Sequence, residues 1–202
     1  MSEFTNEEIS TAKQIIASGL EKAAESLSFF MRETISLSES EFTISNEENI
    51  AINLNAQEEL YVLTTEMKGE MKGVCYLVIN KEERDEICKV ALPKEIYSNP
   101  DKLSAMQEPL LLEIDNIISA SVVTQIANRL KRKVYGDVPR LNIMTTEDLK
   151  KTIVKEMRPN KLILGFQTEF QSSKSHFHPE FFWILEPDFI ECVKMELFQK
   201  TS

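Results

Sequence analysis

The sequence predicts an α+β domain whose secondary-structure pattern occurs twice. A long helical pattern begins each half of the 202-residue chain. Runs rich in β-branched and aromatic residues follow each of these helices. Each half then closes with a strand, an acidic turn and an amphipathic helix, in YLVINKEERDEICKVAL and FFWILEPDFIECVKMEL. Together these observations favour one domain with a central antiparallel sheet and two long helices.

The first half begins with a capped helix. Thr5 or Asn6 can cap it, Glu8 lies near its start, and its apolar residues recur at helical spacing to about Arg32. TISLSESEFTI predicts short strands with a turn, and LYVLTTEM and VCYLVI predict two paired strands joined by a glycine-containing turn. KEERDEICKVAL predicts an amphipathic helix that Pro93 stops.

The second half begins with a helix predicted from about Leu103 to Lys131. Pro109 falls inside it, so the helix is expected to start at or bend near this residue. KVYGDVP predicts a strand, and LNIMTTEDLKKTIVKEMRPN a short helix that leaves the main sheet. KLILGFQTEF and HFHPEFFWILEP predict two further strands before the closing helix DFIECVKMELFQK.

An offset of 99 residues aligns the two halves, placing Gln14 over Glu113 and Ala17 over Asn116. We therefore predict a single domain over residues 1–202. Its related halves cover about 1–98 and 99–202, with an insertion at about 142–160.

Composition excludes several function classes. The net charge of -10 and the pI near 4.9 argue against nucleic-acid binding. No apolar stretch reaches the roughly 18 to 20 residues expected of a membrane span, and the acidic N-terminus does not resemble an export signal. Cys75, Cys88 and Cys192 are odd in number and widely spaced, which indicates buried free thiols in a reduced cytoplasm. A cytoplasmic chain is expected.

Other catalytic or metal-binding patterns are weak. His176 and His178 alternate along a predicted strand without an evident third ligand, so no metal site is predicted. The chain has neither a P-loop nor a GxSxG motif. The aromatic run FFW at 181–183 is interpreted as a buried strand, of which an exposed part could serve a dimer interface.

Glu113 and Asn116 lie three residues apart on one face of the second long helix. Ala120, Thr124 and Ala127 extend this face with small side chains, forming a shallow track for another protein's surface. The pair by itself is more typical of a solvated helix face than of a working site.

Two charged residues, Asp115 and Arg129, interrupt the apolar side of the same helix. A mutual ion pair would explain both. That side is otherwise apolar and is expected to face the core with Leu111, Ile114, Ile118, Val122 and Ile126.

The spacing downstream of this pair is more specific. Asn116 is followed by 22 residues and then Pro139. Here the sequence resembles the CheC/CheX/FliY family of chemotaxis phosphatases, whose motif is Asp or Ser, x3, Glu, x2, Asn, x22, Pro. Glu113, Asn116 and Pro139 match this spacing, whereas Pro109 occupies the first position.

The resemblance extends over roughly three quarters of the chain, including GLEKAAESLSFFMRETISL and the hairpin LYVLTTEMKGEMKGVCYLVI. It implies a CheC-like pseudo-twofold fold. Gln14 and Ala17 replace the family's Glu and Asn in the first half, which leaves one catalytic site, as in the CheX type.

The resemblance also implies an activity: hydrolysis of the aspartyl phosphate on a CheY-type response-regulator receiver in two-component signalling. Asn116 would orient the attacking water, and Glu113 would contact the receiver's lysine. No cofactor would belong to this chain, because the Mg²⁺ would belong to the receiver. A homodimer is a further expectation. Two alternatives stay open, a non-catalytic CheC-like adaptor and a dimerising domain without a receiver partner.

Overall fold

A computed structural model describes residues 5–37, 41–45, 59–156, 162–167, 170–171, 176–177 and 179–201. Its helices are α1 (Asn6–Met31), α2 (Lys81–Ala91), α3 (Lys94–Tyr97), α4 (Pro100–Leu130), α5 (Thr146–Glu156) and α6 (Pro187–Thr201). Its strands are β1 (Ser36–Leu37), β2 (Glu41–Ser45), β3 (Leu60–Gly69), β4 (Gly73–Asn80), β5 (Val134–Gly136), β6 (Arg140–Met144), β7 (Leu162–Gln167), β8 (Phe170–Gln171), β9 (His176–Phe177) and β10 (Glu180–Leu185). The predicted α+β class is confirmed.

The main sheet has the order β2-β7-β10-β4-β3-β5, and β6 also pairs with β3. Every pairing within it is antiparallel, with Trp183 opposite Cys75 at the centre and Leu63 opposite Leu77 in the predicted hairpin. Strand β2 of the first half pairs with β7 of the second, while β5 and β6 of the second half pair with β3 of the first. This exchange is what two related halves would give, although the duplication itself stays a prediction.

A capping box fixes the start of α1. The Thr5 hydroxyl accepts a hydrogen bond from the Glu8 amide at 3.2 Å, and the Thr5 amide donates to the Glu8 carboxylate at 2.9 Å. Two amide groups that would lack a helical partner are thereby satisfied. The helix begins and ends within one residue of the predicted limits.

Replacing Thr5 with alanine is expected to lower the free energy of unfolding by about 1 kcal/mol, because the Glu8 amide loses its acceptor. Urea unfolding measures this change. Thr5→Ser retains the hydroxyl and serves as the control. Equal losses in both variants would contradict a capping role for the hydroxyl.

The second long helix begins earlier than predicted. Asn99 caps it by accepting a hydrogen bond from the Lys102 amide at 3.1 Å, and Pro100 occupies the first turn, where its missing N–H costs no helical hydrogen bond. Pro109 therefore lies inside α4 and does not start it.

Helices α1 and α4 pack closely against each other. A Cβ added at Gly19 would lie 2.6 Å from the Val122 Cα, so the absence of a side chain at Gly19 permits this approach. Both helices also bury their apolar sides in one core with the inner face of the sheet. The five α4 residues predicted to face this core are all buried.

The contacts of helix α6 show the relative direction of α1 and α4. Its residues Lys194, Leu197 and Phe198 line a cavity with Thr5, Glu7 and Glu8 at the start of α1. Two other α6 residues contact the end of α4. The Arg132 Nε lies 3.3 Å from the Cys192 Sγ, and the Arg129 Nε lies 2.7 Å from the Glu196 Oε1. Because α1 begins where α4 ends, the two helices run antiparallel.

The outer face of the sheet is covered by α5. Leu149 and Ile153 are buried in a second apolar cluster, in which the rings of Tyr76 and Phe182 stack with centroids 4.9 Å apart. The helix predicted in the excursion is thus confirmed, whereas residues 140–144 form a strand of the main sheet. Part of the predicted insertion, residues 157–160, lies outside the described residues.

Two further sequence interpretations are tested by burial. All three cysteines are buried and free, as predicted. Residues 181–183 are all buried. The suggestion that an exposed part of this aromatic run serves a dimer interface is therefore wrong.

By length and composition, one helix in the described part of the chain, α4, would also pass as a membrane span. This corrects the expectation that no apolar stretch is long enough. Half of its apolar window is buried inside the protein, as in a core helix, so the finding is weak evidence for a membrane.

Candidate functional site

Helix α4 presents Glu113 and Asn116 to solvent. Both side chains are exposed, and neither has a hydrogen bond or ion pair to another described residue. The buried Leu111, Ile114 and Ile118 hold the opposite side of the helix in the core, which fixes the direction of the exposed face. The pair is thus available to a second molecule.

The rest of the predicted track is largely open. Ala120 and Thr124 are exposed, whereas Ala127 is half-buried. Side chains of this size allow another surface to approach the helix backbone beyond Asn116.

Asp115 lies behind the exposed pair and is fully buried. Its Oδ2 accepts a hydrogen bond from the Thr65 hydroxyl on β3 at 2.6 Å, and its Oδ1 has no partner among the described residues. The suggested Asp115–Arg129 pair is wrong, because Arg129 instead pairs with Glu196. The carboxyl group therefore joins α4 to the sheet immediately beneath the site.

Burial raises the pKa of Asp115 to about 7, because transfer out of water disfavours the carboxylate, and the Thr65 hydrogen bond offsets part of this rise. The pKa of the Cys75 thiol is also raised, first by its own burial and then by the nearby Asp115 charge. The Asp115 carboxyl group consequently ionises near neutral pH, within the helix that carries Glu113 and Asn116.

The remaining motif positions are also placed. Pro109 is exposed one turn before Glu113, and Pro139 is half-buried between β5 and β6. On α1, Gln14 is exposed and Ala17 is half-buried. The first half thus has a carboxamide, Gln14, where the second half has the carboxylate of Glu113, and it has only the methyl group of Ala17 where the second half has the carboxamide of Asn116.

No group of three or more His, Cys, Asp or Glu residues that could hold a metal ion occurs in the described part of the chain. The histidine pair is not tested by this observation, since His178 and the side chain of His176 lie outside the described residues.

Two features of this region were not predicted from the sequence. One is the Thr65–Asp115 hydrogen bond, which joins residues 50 positions apart. The other is Phe29, whose side chain is 90% exposed near the end of α1. A signal for the second was present, because Phe29 does not share the helical spacing of the buried Leu20, Leu27 and Met31.

Comparisons with known proteins identify the fold. No protein-family model matches the chain, and no curated protein matches it. Among solved structures, Thermotoga maritima FliY is similar over 99% of this chain and 100% of its own, with a TM-score of 0.70 and 18% identity. The FliM middle domain of Vibrio alginolyticus is similar over 92% of this chain and 99% of its own, with a TM-score of 0.61 and 11% identity.

A third similar structure is the complex of CheX with CheY, BeF₃ and Mg²⁺ from Borrelia burgdorferi. It covers 85% of this chain and 97% of its own, with a TM-score of 0.53 and 12% identity. The coverage is nearly complete in each case while the identity is low, so these likenesses concern the fold. The resemblance noted in the sequence is therefore confirmed at the level of architecture: this chain has the fold of the CheC/CheX/FliY family.

Proposed function

We propose that this chain is a phosphatase that hydrolyses the aspartyl phosphate of a CheY-type receiver. The observation that carries the proposal is the exposure of Glu113 and Asn116 on one face of α4, in a fold shared with a CheX that has been solved together with CheY. A site that acts on another protein needs side chains that project from an accessible surface, and this pair does so.

Asn116 acts on the attacking water. Phosphoryl transfer depends mainly on alignment and charge stabilisation, and a phosphoaspartate in a receiver lacks only a positioned nucleophile. A carboxamide supplies both a donor and an acceptor to a water molecule, and it carries no charge that would repel the phosphoryl group. In this proposal the Asn116 amide enters the receiver's site and holds the water in line with the scissile P–O bond.

Glu113 anchors the helix. Its carboxylate lies one turn before Asn116 on the same face, so both side chains reach one site. We assign it a contact with the receiver's lysine, which fixes the orientation of α4 and hence of the amide. The Mg²⁺ ion belongs to the receiver in this proposal and requires no ligand from this chain.

The proposal is tested by the decay of CheY-type receivers of the source organism, phosphorylated by a small-molecule donor in the presence of Mg²⁺. The wild-type chain is expected to accelerate the decay, and Asn116→Ala to reduce the acceleration at least about 10²-fold, the usual effect of losing a positioned polar group in such a site. Asn116→Asp keeps the size of the side chain but adds a charge, and it is expected to be equally defective.

Asn128→Ala is the matched control, because Asn128 is another exposed asparagine on α4, more than three turns further along. It should leave the acceleration unchanged. Equal losses in the Asn116 and Asn128 variants, or no acceleration by the wild type, would contradict the proposed chemistry.

A second candidate is a docking module that binds a receiver or another signalling protein without catalysis. The likeness to the FliM middle domain favours it, since that match exceeds the CheX match in TM-score and coverage of this chain. Binding to an activated receiver without faster decay is the result expected for this candidate.

The homodimer stays a prediction. Strands β4 and β10 present Tyr76 and Phe182 to a cluster that already contains Leu149 and Ile153 of α5. Pairing of two copies through this face of the sheet would therefore require displacement of α5.

A further inference from the structure

The antiparallel arrangement of α1 and α4 brings an exposed apolar residue to the level of the proposed catalytic pair. The two helices are in tight contact where Gly19 meets Val122, a point referred to here as the crossing. Phe29 lies ten residues beyond Gly19, and Glu113 lies nine residues before Val122. At about 1.5 Å per residue, both are therefore about 14 to 15 Å from the crossing, towards the same end of the helix pair.

Phe29 is the most exposed of the large apolar residues described, at 90%. The adjacent Phe30 is 39% exposed. Met106, 38% exposed, lies two turns before Glu113, and a spacing of seven residues keeps it on the same face of α4. We refer to Phe29, Phe30 and Met106 as the apolar patch. Two of its residues are on α1 near the level of the polar pair, and the third is on α4.

A partner that accepts the Asn116 side chain must also cover the surface around it. A protein interface of ordinary size covers about 800 Å² on each partner, which corresponds to a radius of roughly 16 Å. Packed helix axes lie about 8 to 10 Å apart, so the part of α1 that carries Phe29 lies within such a radius of Glu113. Phenylalanine and methionine are also among the residues enriched in the buried centres of interfaces.

We propose that the apolar patch is a docking surface for the phosphorylated receiver, with Phe29 as its anchor. This inference rests on the proposed function, since the receiver covers the patch only if Glu113 and Asn116 enter its site. The two residues then have separate roles: Phe29 contributes to binding of the receiver, whereas Asn116 contributes to the chemical step.

The test measures the dissociation constant for a beryllofluoride-activated CheY-type receiver of the source organism, together with kcat and KM for the phosphorylated form. Phe29→Ala is expected to raise both the dissociation constant and KM about tenfold, with kcat within twofold of the wild type. Asn116→Ala is expected to lower kcat about 10²-fold with little change in the dissociation constant. Since Phe29 is exposed, its replacement should leave the circular dichroism spectrum unchanged.

Phe198→Ala is the matched control. Phe198 is 74% exposed, but it lies on α6 beside the start of α1, at the opposite end of the helix pair. Its replacement should leave the dissociation constant within twofold of the wild-type value. Equal effects of the Phe29 and Phe198 substitutions would overturn the assignment of a specific anchor.

The inference and the proposed function fail in different ways. A defective Asn116→Ala beside a Phe29→Ala variant with unchanged binding would overturn the docking patch alone. Receiver binding without hydrolysis would overturn the proposed phosphatase activity. The dissociation constant of Phe29→Ala would then still show whether the apolar patch binds the receiver. Absence of receiver binding by the wild type overturns both. Sedimentation provides a further outcome. If the wild type is a dimer and Phe29→Ala is a monomer, the patch binds a second copy of the chain, and the proposal that it docks the receiver is overturned.

Discussion

Replacing Asp115 with asparagine is expected to abolish a pH-dependent loss of stability. Between about pH 4 and pH 7, Asp115 lowers the free energy of unfolding of the wild type by about 4 kcal/mol, and the variant should not show this fall. The ordinary pKa of 3.8 is raised to about 7 in the folded chain, and each pKa unit corresponds to about 1.4 kcal/mol. Between these values the folded state keeps a proton that the unfolded state releases, so the free energy of unfolding falls as the pH rises. Above about pH 8 the contribution of Asp115 is constant.

The asparagine variant stays neutral at every pH, and its amide oxygen can still accept the Thr65 hydrogen bond. It should resemble the wild type near pH 4 and exceed its stability near pH 8. Urea unfolding at intervals between these values measures the difference. The other titrating groups are the same in both proteins and cancel in the comparison.

Thr65→Val provides a second test of the same pair. The Thr65 hydrogen bond lowers the pKa of Asp115, so its removal should extend the loss of stability to higher pH. A parallel fall in the wild type and Asp115→Asn would contradict the assignment of the pH dependence to this carboxyl group.

Replacing Gly19 with valine is expected to lower the free energy of unfolding by about 3 kcal/mol or more. The new Cβ would lie 2.6 Å from the Cα of Val122, which is backbone and cannot rotate away. Overpacking of this kind costs about 1 to 3 kcal/mol even where side chains can adjust. The variant should therefore separate α1 from α4 or shift their crossing.

Gln14→Val controls for the lower helix propensity of valine, because Gln14 is exposed on the same helix. Urea unfolding of both variants gives the comparison. A Gly19→Val variant as stable as Gln14→Val would show that the two helices do not approach each other as described.

Local signals in the sequence were sufficient for most elements. Thr5 and Glu8 marked the start of α1, the two strand-like runs at 60–67 and 74–79 with the glycine-containing turn between them marked the central hairpin, and helical periodicity placed Glu113 and Asn116 on the outer face of α4. Each of these features depends on residues close together in the chain. The start of α4 was one exception, because the cap at Asn99 precedes the apolar repeat and Pro109 suggested a later beginning. Strand β6 was another, because residues 141–144 were expected to leave the main sheet but pair with β3.

Contacts between distant segments were decided only in the tertiary structure. The partner of Asp115 is Thr65, not Arg129, since the strand order places β3 beneath α4. Likewise, α5 covers the outer face of the sheet, and the antiparallel course of α1 and α4 brings Phe29 level with Glu113. The sequence alone thus determined most of the secondary structure, the apolar faces and the exposed polar pair, because short-range periodicity and capping encode them. What lies beneath and beside that pair depends on the packing of segments far apart in the chain, which local patterns do not encode.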